Sequence, residues 1–113
     1  FRQYKIEEQL EHMHEPVVGL PSGGYLVINP TEALVAVDVN SGSATKERGI
    51  EETALKTNME ASEAIARQMK LRDLAGLVVV DFIDMAEARN NRAVERRLRE
   101  AFRLTGPGYR WVG

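Results

Sequence analysis

Two runs of strand-forming residues, ALVAVDV at 33–39 and LVVVDF at 77–82, stand on either side of a stretch whose apolar positions follow a different period. β-Branched and aromatic side chains favour the pleated, half-buried surface of a sheet. Between the runs, from Ile50 to Leu74, Ala54, Asn58, Ala61, Ile65 and Met69 recur at three- and four-residue spacing with charges interleaved. That pattern predicts a helix of about five to seven turns. Strand, helix and strand in that order constrain the fold more than any other feature, because the favoured connection is a right-handed crossover between parallel strands. Ahead of this unit, YLVI at 25–28 and the Asn29-Pro30 turn signal predict a further strand, preceded by a turn cluster at Pro21, Gly23 and Gly24. The expected class is a mixed α/β (α+β) domain with a small sheet built around the parallel strand–helix–strand unit.

Size and charge narrow the classes. The 113 residues, 43% hydrophobic and 28% charged, fit one small domain with a thin core. With 15 basic against 17 acidic residues, the net charge of -2 argues against a globally basic nucleic-acid binder and confines any such role to a local patch. No apolar run approaches the roughly 20 residues that span a bilayer, and the N-terminal FRQYKIEEQLEH lacks the layout of a signal peptide. Without cysteine there are no disulfides and no thiolate metal sites, so the cytoplasm is the expected compartment. Ile6, Leu10 and Met13 predict a short amphipathic helix ended by Pro16, and a last helix is expected from about Met85 to Arg103, burying Val94, Leu98, Ala101 and Phe102.

The candidate chemistry lies in two aspartates. Asp81 interrupts VVVDFIDM (78–85), which reads as a strand buried on both faces. A carboxylate there must be paired, hydrogen-bonded or bound to a cation to offset its lost hydration. Asp38 falls near the C-terminal end of the preceding strand, and parallel strands bring both ends to one sheet edge, where ligands of open α/β sheets bind. Hard cations such as Mg²⁺ need only one or two carboxylates besides water and phosphate. Asn40, two residues after Asp38, shares its face and offers an amide. The bland alternative stays open at this point, since strand-end aspartates also cap loops and helices.

Other motifs are weaker. Asp84 with Glu87 forms the D-x-x-E layout of a capping box for the last helix. Arg89, Arg92, Arg96, Arg97, Arg99 and Arg103 read as a solvated helix face, or as a basic face near the acidic edge that tracks a phosphate backbone. Lys46 and Arg48, in the loop after Asp38, are the better candidates to meet a phosphate if a metal is held there. His12 and His14 read as surface residues, and Ser22-Gly23-Gly24 as a turn, since it lacks the lysine of a phosphate loop.

The stretches LPSGGYLVINPTEALVAVDVNSG, IEETALKTNMEASEAIARQMKLRDLAGLVVVDFIDM and RAVERRLREA closely resemble the catalytic region of the ribonuclease E/G family of bacterial endoribonucleases, from about Ile6 to Ala101. The resemblance implies a DNase I-like subdomain in which Asp38 and Asp81 hold a catalytic Mg²⁺ and Asn40 assists. Implied too is cleavage of single-stranded, AU-rich RNA to a 5′-phosphate and a 3′-hydroxyl, which requires water as nucleophile. The metal then polarises the phosphoryl oxygen and activates that water for in-line attack.

The departures matter equally. Family enzymes carry an S1-type RNA-binding domain, a 5′-monophosphate sensor and a zinc-sharing cysteine pair, and residues 102–113, FRLTGPGYRWVG, diverge from the family. The chain is therefore expected to be a fragment of such a catalytic region, weakly active or inactive alone. Its parent is expected to be a homo-oligomer, dimer or tetramer, acting on RNA in the cytoplasm, with association at the inner membrane face left open. Two alternatives compete: a non-catalytic RNA-binding or dimerisation module, and a metal-free structural domain in which Asp38 and Asp81 diverge in space.

Overall fold

The computed structural model describes residues 17–42, 49–71 and 77–105. Four strands form one mixed sheet in the order β1 (Val17–Gly19), β2 (Tyr25–Pro30), β3 (Leu34–Asn40) and β4 (Leu77–Asp81). The first three run antiparallel to their neighbours, and β3 pairs parallel to β4. Helix α1 (Ile50–Leu71) joins the parallel strands, and α2 (Ala88–Thr105) follows β4. The mixed α/β class and the parallel unit are as the sequence predicts.

Local chemistry accounts for the connections. The β1–β2 turn closes through Leu20 N–H donating to the Gly24 carbonyl and Gly23 N–H to the Leu20 carbonyl, with Gly23 at φ 102°. Between β2 and β3, Thr31 clasps Leu34: its N–H and hydroxyl both donate to the Leu34 carbonyl, while Leu34 N–H donates back to the hydroxyl. Helix α1 starts on Gly49, whose carbonyl accepts from Thr53 N–H, carries Glu51 and Glu52 in its first turn and Lys70 in its last, and so complements its own dipole.

Alternation along the strands sorts side chains onto two faces. Leu26, Ile28, Val35, Val37 and Val39 are buried beneath the helices. They pack in one cluster with Ala61, Ile65 and Met69 of α1 and Leu98 and Phe102 of α2. All five helical positions read from the sequence, Ala54, Asn58, Ala61, Ile65 and Met69, are buried. The opposite face carries Tyr25, Val27, Ala36, Asp38, Asn40, Leu77, Val79 and Asp81, and no helix of the described residues covers it.

Three expectations change. Residues 17–19 form an edge strand that the sequence did not signal, being short and set between Pro16 and Pro21. The last helix begins at Ala88 instead of about Met85, because residues 82–87 form an irregular segment anchored to α1. Strand β4 is covered on one face only: Leu77 and Val79 are 54% and 47% exposed, and Asp81 is exposed with them. The apolar run mistaken for two-sided burial is half covered because both helices lie on the same side of the sheet. The expected first helix with His12 and His14, the loop residues Lys46 and Arg48, and most of the 102–113 tail lie outside the described residues. Among the described residues no helix is long and apolar enough to cross a membrane.

Candidate active site

The parallel register sets Asp38 directly beside Asp81. Strand spacing of about 4.8 Å separates the two backbones, and both side chains leave the sheet on its uncovered face. Directly opposed like charges destabilise a sheet. Among the described residues neither carboxylate has an ion-pair or hydrogen-bond partner, so nothing described offsets that repulsion. Two hard oxygen donors in this arrangement fit a small divalent cation that completes its shell with water and phosphate oxygens. No group of three or more acidic, histidine or cysteine side chains is placed to hold a metal ion among the described residues. The described residues therefore offer two carboxylates and no third acidic or histidine ligand. Asp81 is exposed, so the cost of desolvation expected from its apolar neighbours does not arise; what remains at the surface is the repulsion between two adjacent carboxylates.

Asn40 stands on the same face as Asp38, opposite Tyr25 in the β2–β3 register. Its backbone is held by close packing that admits no side chain on the facing turn. A β-carbon on Gly24 would lie 2.6 Å from the Asn40 carbonyl oxygen and 2.8 Å from Thr57 Cγ2. Gly42 adopts φ +68°, and a β-carbon there would lie 2.6 Å from the Gly23 carbonyl oxygen. The Ser22-Gly23-Gly24 turn is thus a turn, as its sequence predicts, and also the wedge that sets the end of β3.

Helix α1 holds the surrounding loops through three side chains. Glu60 accepts from both the backbone N–H and the hydroxyl of Ser22. Asn58, fully buried, donates its amide to the Ile83 carbonyl and accepts from Ile83 N–H, two residues past Asp81. Such paired bonds copy a strand's own pattern and fix where the chain leaves β4. Glu51 accepts from the N–H groups of Ala86 and Glu87 and from the Asn90 amide. The Ala86 bond first, then those from Asn90 and Glu87, hold its carboxyl below the ordinary glutamate range.

These contacts correct the capping expectation. Asp84 is exposed and has no hydrogen bond among the described residues; Glu87 lies just before α2, where its carbonyl accepts from the Asn90 and Asn91 N–H groups. Glu51 from the other helix supplies the carboxylate at the N-terminus of α2. A D-x-x-E spacing cannot show this, since the partner lies 35 residues away. Asn58 left a readable signal, a polar residue at a core position of α1; Glu51 and Glu60 left none, as both look like ordinary helix charges.

The arginines of α2 face away from the sheet. Val94, Leu98 and Phe102 turn inward, while Arg89, Arg92, Arg96, Arg99 and Arg103 are exposed on the far side of the helix. Arg89, Arg97, Arg99 and Arg103 pair with Glu87, Glu63, Glu95 and Glu100. The helix layer separates this surface from the aspartates, so it does not flank the acidic edge.

A sequence profile describing the ribonuclease E/G family matches residues 1–105. The chain belongs to the ribonuclease E/G family. It is 58% identical over 103 residues to ribonuclease E of Escherichia coli and 56% identical over the same length to that of Haemophilus influenzae. Each alignment covers 91% of this chain but only 10% and 11% of those relatives. Escherichia coli ribonuclease G is 42% identical over 101 residues, covering 89% of this chain and 21% of that protein. The chain thus spans about a tenth of the length of these two ribonuclease E relatives.

Proposed function

We propose that this chain forms the metal-holding part of an endoribonuclease that cleaves single-stranded RNA by attack of water on the phosphodiester, leaving a 5′-phosphate and a 3′-hydroxyl. The observation that carries the proposal is the side-by-side placement of Asp38 and Asp81 on an open sheet face, without a neutralising partner among the described residues. Membership of a family whose relatives are named ribonucleases supplies the substrate class.

In this reading the two carboxylates hold Mg²⁺, and Asn40 orients a phosphate oxygen from the next position of the same strand face. Mg²⁺ bound there supplies Lewis-acid polarisation of the phosphoryl group and lowers the pKa of the attacking water. The protein's part is rigidity: β3 and β4 are paired along their length, and Asn58 pins the exit of β4. The open face leaves room for an unpaired strand to lie across the sheet. RNA processing in the cytoplasm by an oligomeric parent follows from the same reading. The metal-free structural alternative predicts aspartates that diverge, and their adjacent places in the β3–β4 register support the present reading over it. The non-catalytic alternative differs from the proposal in one measurable outcome.

That measurement is single-turnover cleavage of a short single-stranded RNA by the full-length protein across a Mg²⁺ titration, with RNA binding followed separately. Asp38→Asn and Asp81→Asn should each cleave at least about a hundredfold more slowly, a loss of ~2.7 kcal/mol of transition-state stabilisation. RNA binding should stay near wild type, since phosphate contacts elsewhere carry most of the affinity. Variants cleaving within about threefold of wild type at low Mg²⁺ would sink the proposal.

A further inference from the structure

Tyr25 stands on the same uncovered face as the aspartates. Its cross-strand partners are Gly19 on β1 and Asn40 on β3. One step along the face, the next outward row crosses all four strands as Val17, Val27, Asp38 and Asp81. Asp38 is therefore a diagonal neighbour of Tyr25, about 7–8 Å away between backbones and within reach of an aromatic side chain. Tyr25 is 38% exposed and Val17 51% exposed. Glycine at position 19 leaves the β1 side of the ring without a side chain beside it.

The face is thus divided across its width over two adjacent rows: two carboxylates on β3 and β4, and an apolar floor with an aromatic ring on β1 and β2. Phosphate and nucleobase have the same division of chemistry, one needing cation or donor contacts and the other a flat π surface. We propose that Tyr25 is the stacking platform for the base of the nucleotide next to the scissile phosphate, with the ribose lying over Val27. This deepens the endoribonuclease reading and rests on it for the identity of the ligand. Stacking is tolerant of sequence because every base has a π face, and it requires an unpaired base. A duplex, with its bases stacked on one another, cannot use the platform. Tyr25 accordingly contributes to the choice of single strands over duplexes, as a positioning residue and not as a catalytic one.

The test uses the full-length protein in an Asp81→Asn background, where binding is read without depending on cleavage. A short single-stranded RNA carries one abasic nucleotide, moved position by position past the cleavage site. With Tyr25 intact, one abasic position should weaken binding about 5- to 150-fold, the range for losing one base–aromatic stack. Tyr25→Phe should behave the same. Tyr25→Leu, which keeps an apolar side chain on the strand but removes the π face, should bind intact RNA as weakly as the tyrosine protein binds the abasic one, and should be indifferent to that position. If leucine retains both the affinity and the position-specific loss, or if no abasic position affects the tyrosine protein, the platform is overturned. Where Tyr25→Leu fails to fold, Tyr25→Met takes its place with the same expected outcome, and absence of any position-specific abasic loss in the tyrosine protein overturns the platform by itself. Loss of the platform with intact Mg²⁺-dependent cleavage, or the reverse, separates the failure of this inference from failure of the catalytic one.

Discussion

The two faces of the sheet share the same strands and do opposite work. On the helix side, alternate residues Leu26, Ile28, Val35, Val37 and Val39 are nearly or fully removed from water and pack against Ile65, Met69, Leu98 and Phe102. On the other side, Asp38 and Asp81 face each other and Leu77 and Val79 are half exposed. The covered face gains stability from burial. The open face costs some, through opposed charges and uncovered apolar area. A one-residue slip of register would exchange the two sets, so burial of the valines is what places the aspartates outward.

The contrast is sharpest between core truncation and carboxylate neutralisation. Ile65→Ala, at a fully buried position, should lower unfolding stability by about 2–5 kcal/mol in denaturant titration. Asp38→Asn should leave stability equal or slightly raised in the same titration while it abolishes most cleavage. If neutralisation proved as destabilising as the core change, the two faces would not be separable.

Asn58 tests the boundary between the faces, because it is buried on the helix side yet holds the segment after Asp81. Asn58→Ala leaves both backbone groups of Ile83 without their partner, and should cost about 1–3 kcal/mol. Mg²⁺ dependence should shift with it, since the end of β4 loses its anchor. A stability loss with unchanged Mg²⁺ dependence would confine Asn58 to the core.

Acid should loosen the hold of α1 on α2. The Glu51 carboxyl is depressed in the folded protein by its bonds from Ala86, Asn90 and Glu87, so the unfolded chain takes up a proton more readily. The stabilisation is complete above the ordinary glutamate pKa of about 4.3 and is lost as pH falls through the lower folded value. Melting temperature measured from about pH 6 to pH 3 should fall less steeply in Glu51→Gln than in wild type. Parallel curves would show that Glu51 contributes nothing to the acid limb. The smallest effect is expected at Asp84: exposed and without a hydrogen bond among the described residues, its change to Ala should alter stability by less than about 0.5 kcal/mol. A larger loss would restore the capping role that its spacing suggested.

Much of this architecture was legible in the residues. Period and composition marked β2, β3, α1 and β4, and the order strand–helix–strand implied parallel pairing, because local patterning reports which face of an element seeks cover. The pairing of Asp38 with Asp81 followed as a consequence. Strand β1 was invisible, since three residues between prolines carry no period. What sequence alone did not decide was which side of β4 the helices would cover, and so whether Asp81 is buried or open. Nor did it reveal that Glu51, Asn58 and Glu60 hold the loops around the site, or that Tyr25 shares a face with the aspartates. Those relations join residues one or two strands apart in the sheet or dozens of positions apart in the chain. They exist only once register and layer are chosen, and that choice is made by burial of the whole cluster instead of by any local preference.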